Sequence, residues 1–378
     1  MKSKQKNSIF SKIIFVINNI AVLLLLLSYL SVYISPDKVW FIAFLGLAYP
    51  YLLIVNILFL IYWIIRLNKY LLLSLIALLI GYNSFKRTFE LFPKSKQNTE
   101  NQFKVMSYNV RLFNVFKYKW KDKKSYTERN KFFEFLKEEN ADIICLQEFF
   151  YNKSHHFKTS DTIVKFIDAR NVHTDFTSKN DSNYFFFGAA TFSKYPIINK
   201  GKIEFEKKTD NICIYSDIIK NKDTLRIYNI HLESIKLSKE DENFYTEISY
   251  DDKQKELKNG SLKILSKLKR AFINRASQAR NLAEHIEKSP YPVIICGDFN
   301  DTPVSYSYQK ISKNLKDAFI ECGSGIGNTY NGNFPSFRID YILYSDIFSA
   351  NSFEIKKIKL SDHYPIVSYL SKNEKSSK

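Results

Sequence analysis

An α/β fold of two packed sheets with helices outside, preceded by an N-terminal transmembrane helical region, is what this sequence predicts. The apolar residues concentrate before about residue 90, in long runs without Asp or Glu. From about residue 102 onward, strand-like period-two patterns alternate with helix-like patterns. Several of those apolar strands end in polar side chains. The chain of 378 residues is 45% hydrophobic and 16% aromatic, enough apolar material for more than one structural unit. It divides into a membrane anchor of two to three helices at 1–90, a linker at 91–101 and a soluble domain at 102–372.

Residues 13–34 are apolar and long enough to cross the ~30 Å hydrocarbon layer at about 1.5 Å per residue. No small-residue cleavage site follows, and a second apolar run begins almost at once, so the segment reads as an anchor rather than a cleaved signal. Residues 39–65 form the second run, with Pro50 near its middle as an expected kink and Trp40 and Trp63 at interfacial positions. A third run at 70–85 reaches only ~24 Å as a helix, so it spans by bilayer thinning or snorkelling.

Lys2, Lys4, Lys6 and Lys12 precede the first run, and Arg66 and Lys69 follow the second, which predicts a cytoplasmic N-terminus. Three spans then put the soluble domain outside, as in an integral protein of a bacterial inner membrane. Lys86, Arg87, Lys94 and Lys96 oppose that placement, whereas the tight loop at 66–69 favours it.

The formal charge of +18 invites a nucleic-acid reading, but its location weakens that reading. Residues 1–98 hold 11 Lys and Arg against 2 Asp and Glu, so half of the excess flanks membrane segments. What remains is a modest basic bias, compatible with a polyanionic substrate. Cys145 and Cys296 sit in apolar runs that read as buried strands; Cys213 and Cys322 are able to pair in principle, and no C-x-x-C spacing indicates zinc or redox chemistry.

In the soluble part, strands are expected at 103–109 and 142–147 with a helix at 127–139 between them, then a strand-rich stretch at 163–233. A long amphipathic helix at 261–288, a strand at 292–298, a short helix at 306–312 and strands at 338–344 and 366–370 follow. This order indicates two packed sheets with helices outside. Residues 236–259 are highly charged and poor in aliphatics, and read as a solvated loop, either a plain insertion or a substrate-facing flap.

A phosphoester hydrolase needs oxygen ligands for a hard cation, a group to activate water, an acid or electrophile for the leaving group, and donors for phosphoryl oxygens. Strand-end side chains supply these at five places. Ser107-Tyr-Asn109 ends a strand in an amide, and Leu146-Gln-Glu148 ends one in a carboxylate. In Tyr228-Asn-Ile-His231-Leu-Glu-Ser234 a histidine closes a strand, and in Gly297-Asp298-Phe-Asn300 a buried strand runs into an acid and an amide two apart, on one face if the backbone stays extended. The fifth place is double. Arg338-Ile-Asp340 puts an acid at a strand start, and Ser361-Asp362-His363 joins a carboxylate for a metal to an imidazole that Asp340 can orient.

Taken together and in order, SYN, LQE, NIHLES, GDFN, RIDYIL and SDHYP, spread over residues 107–365, resemble the signature of the endonuclease/exonuclease/phosphatase, or DNase-I-like, superfamily. The resemblance implies a four-layer α/β/β/α sandwich with its active site at one end of the sheets, and Mg²⁺ or Mn²⁺ as cofactor. It makes Glu148 the principal metal ligand, assisted by Asn109 and Asp362. Asp298 and Asn300 then position the attacking water and a phosphoryl oxygen. His231, and His363 held by Asp340, contact the scissile phosphate, one assisting the nucleophile and the other the leaving oxygen.

Within the superfamily, nucleases, sphingomyelinases and tyrosyl-DNA phosphodiesterases share the histidine matched by His231, while AP endonucleases lack it. The H-L-E-S run and a long helix with Arg275, Gln278 and Arg280 are most similar to the phosphodiesterase branch, although no carboxylate partner for His231 stands out. The expected activity is metal-dependent hydrolysis of a phosphodiester or phosphomonoester, with nucleic acid or a phospholipid headgroup as substrate and no protein partner inferable. The alternative is a catalytically inactive binding or scaffold module on a membrane tether, and the retained Glu148, Asp298, Asn300, Asp362 and His363 argue against it.

Overall fold

The structure, a computed structural model, describes residues 9–92, 101–115, 123–153, 158–179, 185–205, 209, 211–236, 254–332 and 336–373. Among the described residues five helices come first: α1 (Ile9–Tyr29), continued by a 3₁₀ turn at Leu30–Val32, α2 (Trp40–Leu47), α3 (Tyr49–Ile65), α4 (Leu71–Ile80) and α5 (Tyr82–Thr88). Among the described residues only Ile9–Val32 is by itself long and apolar enough to cross a membrane; α2 and α3 qualify as a pair, bent by 62°. The bend falls where expected, because Pro50 in the first turn of α3 lacks the amide hydrogen that a continuous helix requires.

The helices pair through polar groups set in apolar surroundings. Trp63 Nε1 donates to Asn18 Oδ1 at 2.8 Å and Asn56 Nδ2 to the Ala21 carbonyl at 3.1 Å, so α3 runs back along α1. Asn18 Nδ2 donates to Ser74 Oγ at 2.8 Å and Tyr29 Oη to the Ala77 carbonyl at 3.1 Å, so α4 returns in the direction of α1. Such bonds join helices where apolar contact alone discriminates little. Trp63 is therefore fully buried inside the bundle rather than set at its surface as an interfacial aromatic, since its indole N–H finds its partner on α1.

The described residues of the remainder form twelve strands. They are β1 (Phe103–Asn109), β2 (Ile143–Asn152), β3 (Asn171–Lys179), β4 (Phe185–Ser193), β5 (Ile197–Ile203), β6 (Ile212–Lys220), β7 (Asp223–His231), β8 (Val293–Asp298), β9 (Leu315–Asp317), β10 (Asp340–Ser345), β11 (Phe348–Ile355) and β12 (Ile366–Lys372). One sheet has the order β11-β12-β1-β2-β4-β3, the other β5-β6-β7-β8-β10-β9. At the centre of each lies a parallel pair, β1 with β2 and β7 with β8.

Alternation along these strands divides the core. Val105, Ile143, Cys145, Ile227, Ile294 and Ile342 fill the space between the sheets. Helices α6 (Lys123–Glu139) and α7 (Thr159–Phe166) cover the outer face of the first sheet with Phe132, Phe133, Leu136 and Ile163. On the second sheet, α8 (Gln254–Glu287) and α9 (Tyr306–Ile311) do the same with Ala279, Leu282, Tyr308 and Ile311; a one-turn helix α10 (Ala318–Cys322) completes the set. The result is the expected four-layer α/β/β/α sandwich.

Two expectations change in detail. Helix α8 begins at Gln254, inside the segment read as a charged loop, because Gln, Lys, Glu and Leu at 254–258 are all good helix formers. Residues 237–253, which carry the rest of the flap reading, lie outside the described residues. The four cysteines are free and buried, and Cys213 and Cys322 belong to different apolar clusters, so they do not pair.

The N-terminal helices dock against the sandwich. Ser31 Oγ donates to the Val304 carbonyl at 2.8 Å, and Arg280 bonds Ser35 Oγ at 2.8 Å and Asp37 at 3.1 Å. Phe44 meets Phe272 edge-on at 5.1 Å, while Lys269 lies over Trp40. The approach is close: a Cβ on Gly46 would sit 2.5 Å from the Val304 carbonyl oxygen, so only glycine fits. Glu90 and Gly325 add a backbone bridge.

Candidate active site

The two parallel pairs end at the same edge of the sandwich, and the sheet register assembles the polar cluster there. In β7 and β8, His231 stands opposite Asp298; in β8 and β10, Asp298 stands opposite Asp340. This row of three needs the neighbouring strands to approach closely at Gly297, where a Cβ would lie 2.1 Å from the Ile230 carbonyl oxygen. The first sheet contributes Asn109 at the end of β1, whose Nδ2 donates to Asp298 Oδ2 at 3.0 Å and to Glu148 Oε1 at 3.2 Å.

Three departures from regular backbone aim the remaining groups. The β2–β4 ladder shifts register between Leu146 and Phe149, and Glu148 in that bulge has φ 48°. Arg111, Leu112, Phe113 and Asn114, just after Asn109, all have φ between 45° and 54°. Left-handed backbone costs a non-glycine residue on the order of 1–2 kcal/mol. Burial of Phe113 and a bond from Asn114 to the Leu360 carbonyl hold this turn. It presents Arg111, whose Nε lies 3.3 Å from Asp362.

The third departure corrects an expectation. Asp298 and Asn300 do not share the face of an extended strand, because β8 ends at Asp298 and Asn300 has φ 51°. A turn brings them together instead: Asn300 N donates to Asp298 Oδ1 at 2.8 Å, and Asn300 Nδ2 to the Leu232 carbonyl at 3.0 Å.

His363 Nδ1 lies 3.0 Å from Asp340 Oδ2, and its Nε2 lies 3.7 Å from Asp298 Oδ2. Burial alone pushes this imidazole down, but Asp340 and Asp298 outweigh burial and carry its pKa up to about 10, which makes it a cation at neutral pH. His231 has the opposite balance. Burial lowers its pKa more than Asp298 raises it, and its Nε2 is buried without a hydrogen-bond partner, 3.8 Å from Glu148 and 3.7 Å from Asp298. The two histidines thus hold different charges in one pocket. Burial also raises the Asp298 carboxyl.

All eight residues singled out in the sequence, Asn109, Glu148, His231, Asp298, Asn300, Asp340, Asp362 and His363, fall at this edge. Asp362 joins through its neighbour, as Ser361 Oγ donates to the Asn109 carbonyl at 2.8 Å. Asp298, Asp340 and His363 present atoms within 4.8 Å of one another, close enough to hold a metal ion. Glu148, Asn109 and Asp362 supply the oxygen donors that Mg²⁺ or Mn²⁺ favours, so the residues present fit such an ion.

Sequence reading missed four supporting groups. Arg111 partners Asp362, and Tyr330 packs its ring 5.3 Å from His363. Below the cluster, Gln147 Nε2 donates to Asn229 Oδ1 at 2.7 Å, while Asn229 Nδ2 reaches the Ala190 carbonyl at 2.9 Å, a buried polar tie between the sheets. Both members adjoin motif residues, being the Gln of LQE and the Asn of NIH, and a polar side chain inside an apolar strand was the available signal.

Residues 106–363 match the family model described as the endonuclease/exonuclease/phosphatase family. This chain belongs to that family. Members of the endonuclease/exonuclease/phosphatase family are hydrolases of phosphoester bonds. Two solved structures of endonuclease/exonuclease/phosphatase proteins share the fold. One, from Beutenbergia cavernae, has a TM-score of 0.51 at 13% identity over 72% of each chain. Another, from Bacteroides thetaiotaomicron, has a TM-score of 0.51 at 16% identity over 73% of this chain and 100% of that one. Residues 11–88 match a second model, a domain of unknown function. No curated protein matches the chain.

Proposed function

We propose that this chain is a membrane-anchored, divalent-metal-dependent phosphodiesterase. The observation that carries the reading is the cluster where His231, Asp298 and Asp340 share one register row and Asn109 joins that row to Glu148 of the other sheet. Glu148, Asn109 and Asp362 would hold Mg²⁺ or Mn²⁺, which would neutralise charge on a phosphoryl oxygen and on the leaving group. His363, cationic and fixed by Asp340, donates to a phosphoryl or leaving oxygen. Asp298, raised by burial, accepts the proton of a water that Asn300 orients. His231, neutral with a free Nε2, accepts from or donates to the same phosphate.

The anchor reading rests on the course of the helices. α1 leads toward the sandwich, α3 leads away, and α4 with α5 returns, so the start of α1 and the catalytic region lie at opposite ends of the bundle. With Lys-rich residues before α1 on the cytoplasmic side, the catalytic region lies outside a bacterial inner membrane. Its site borders the docked helices, since Val304, which accepts from Ser31, follows Asn300 by four residues. Substrates on offer there are phospholipid headgroups and nucleic acid.

The test is a turnover panel on the detergent-solubilised full chain with Mg²⁺, Mn²⁺ and EDTA. The substrates are DNA, RNA, sphingomyelin, inositol phosphates and an aryl phosphodiester. Metal-dependent turnover of at least one phosphodiester is expected, and full activity in excess EDTA overturns the reading.

A further inference from the structure

Away from the catalytic cluster, a cavity of about 410 Å³ opens between the end of α1 and the start of α5. Its volume is in the range of small-molecule sites. Leu26, Leu27 and Ile80 form its apolar wall, and Asn83, Ser84 and Arg87 its polar rim. The wall continues onto the outer surface of the bundle, where Leu23, Leu79 and Ile80 are exposed. The rim faces the junction with the sandwich, because Arg87 bonds Gln309 of α9 and its carbonyl accepts from Arg338.

Charge decides what fits. The guanidinium of Arg87 is hydrogen-bonded to a neutral amide, and among the described residues no carboxylate lies within ion-pair distance of it. The neighbouring carboxylate, Asp317, is already paired with Arg338 at 2.7 Å. An uncompensated arginine beside an amide and a hydroxyl suits a phosphodiester oxygen, and the apolar wall below suits an acyl chain. We infer that this cavity binds one anionic phospholipid, its headgroup phosphate on Arg87, Asn83 and Ser84 and one chain along Leu26, Leu27 and Ile80. The bound lipid closes the joint between the helical bundle and α9. This inference rests on the membrane reading of the helices and not on the catalytic one.

The full chain, purified in detergent and moved to nanodiscs, provides the test by native mass spectrometry with phosphatidylglycerol and phosphatidylcholine. The wild-type chain should retain one phosphatidylglycerol at concentrations where phosphatidylcholine is lost. Arg87→Gln should weaken that retention at least about tenfold, the scale of one charge-assisted bond. Leu27→Trp, which fills the apolar end, should remove it, and Ser84→Ala, a milder rim change, should weaken it if Leu27→Trp does not fold. Turnover of a small soluble phosphodiester should stay unchanged in Arg87→Gln, which separates this site from the catalytic one. Equal retention of both lipids, or wild-type retention by Arg87→Gln, overturns the inference. A chain recovered in the soluble fraction without detergent instead overturns the membrane reading beneath it.

Discussion

Asn109 and Asp298 lie on different sheets, and a 3.0 Å bond from Asn109 Nδ2 to Asp298 Oδ2 ties the two sheet edges together at the site. The same amide reaches Glu148, so one side chain sets the spacing of two carboxylates. Removing it leaves a buried carboxylate short of a donor, which costs roughly 1–3 kcal/mol. Asn109→Ala should lower the unfolding midpoint and reduce kcat at least about tenfold. Wild-type values of both would show that the bond is incidental.

His363→Ala and Asp298→Asn should each lower kcat by about 10²-fold or more, the usual scale for an acid-base or positioning group. Asp340→Asn should have a smaller effect, because the imidazole remains but loses the partner that orients it and keeps it charged. Circular dichroism of each variant checks folding. Turnover close to wild type in any one of the three removes that residue from the mechanism.

Glu148→Gln keeps the shape of the bulge at Glu148 and removes a charge that a hard cation needs. Titration calorimetry should find Mg²⁺ binding weakened at least about tenfold relative to wild type. Equal affinity in the two proteins would move the metal to the Asp298, Asp340 and His363 group.

Acid stability should depend on a residue outside the site. His173 is buried on β3 with Nδ1 2.9 Å from Ser216 Oγ, and burial, helped by Lys200, lowers its pKa to about 4. The unfolded chain takes up that proton near pH 6.5 and the folded chain does not. Stability is therefore full above about pH 6.5 and declines as pH falls toward 4, by about 3 kcal/mol for this group. Denaturant unfolding across that window should show a shallower decline in His173→Gln, and identical slopes would assign the effect elsewhere.

A reporter fused after Lys378 should behave as extracytoplasmic, with a phosphatase-type reporter active and a cytoplasm-requiring one silent. Helix α4 alone has 10 residues and rises only roughly 15 Å, so the third crossing needs α4 and α5 together. A cytoplasmic reporter signal would mean that α4 and α5 do not cross and that only two segments do.

Local pattern was enough to reveal the apolar helices, the bend at Pro50, most strand positions and the residue types of the site, because periodicity reports which face of an element is buried. Tertiary structure alone decided how those pieces meet. The row of His231, Asp298 and Asp340 comes from the register of strands distant in sequence, and no local pattern encodes it. Glu148 reaches the site through a bulge and Asn300 through a positive-φ turn, conformations that only the surrounding packing makes tolerable for these side chains. Trp63 is buried because Asn18, on another helix, accepts its N–H. The neutral His231 beside the cationic His363 likewise follows from burial weighed against nearby carboxylates, a balance set by distances that exist only once the two sheets have packed.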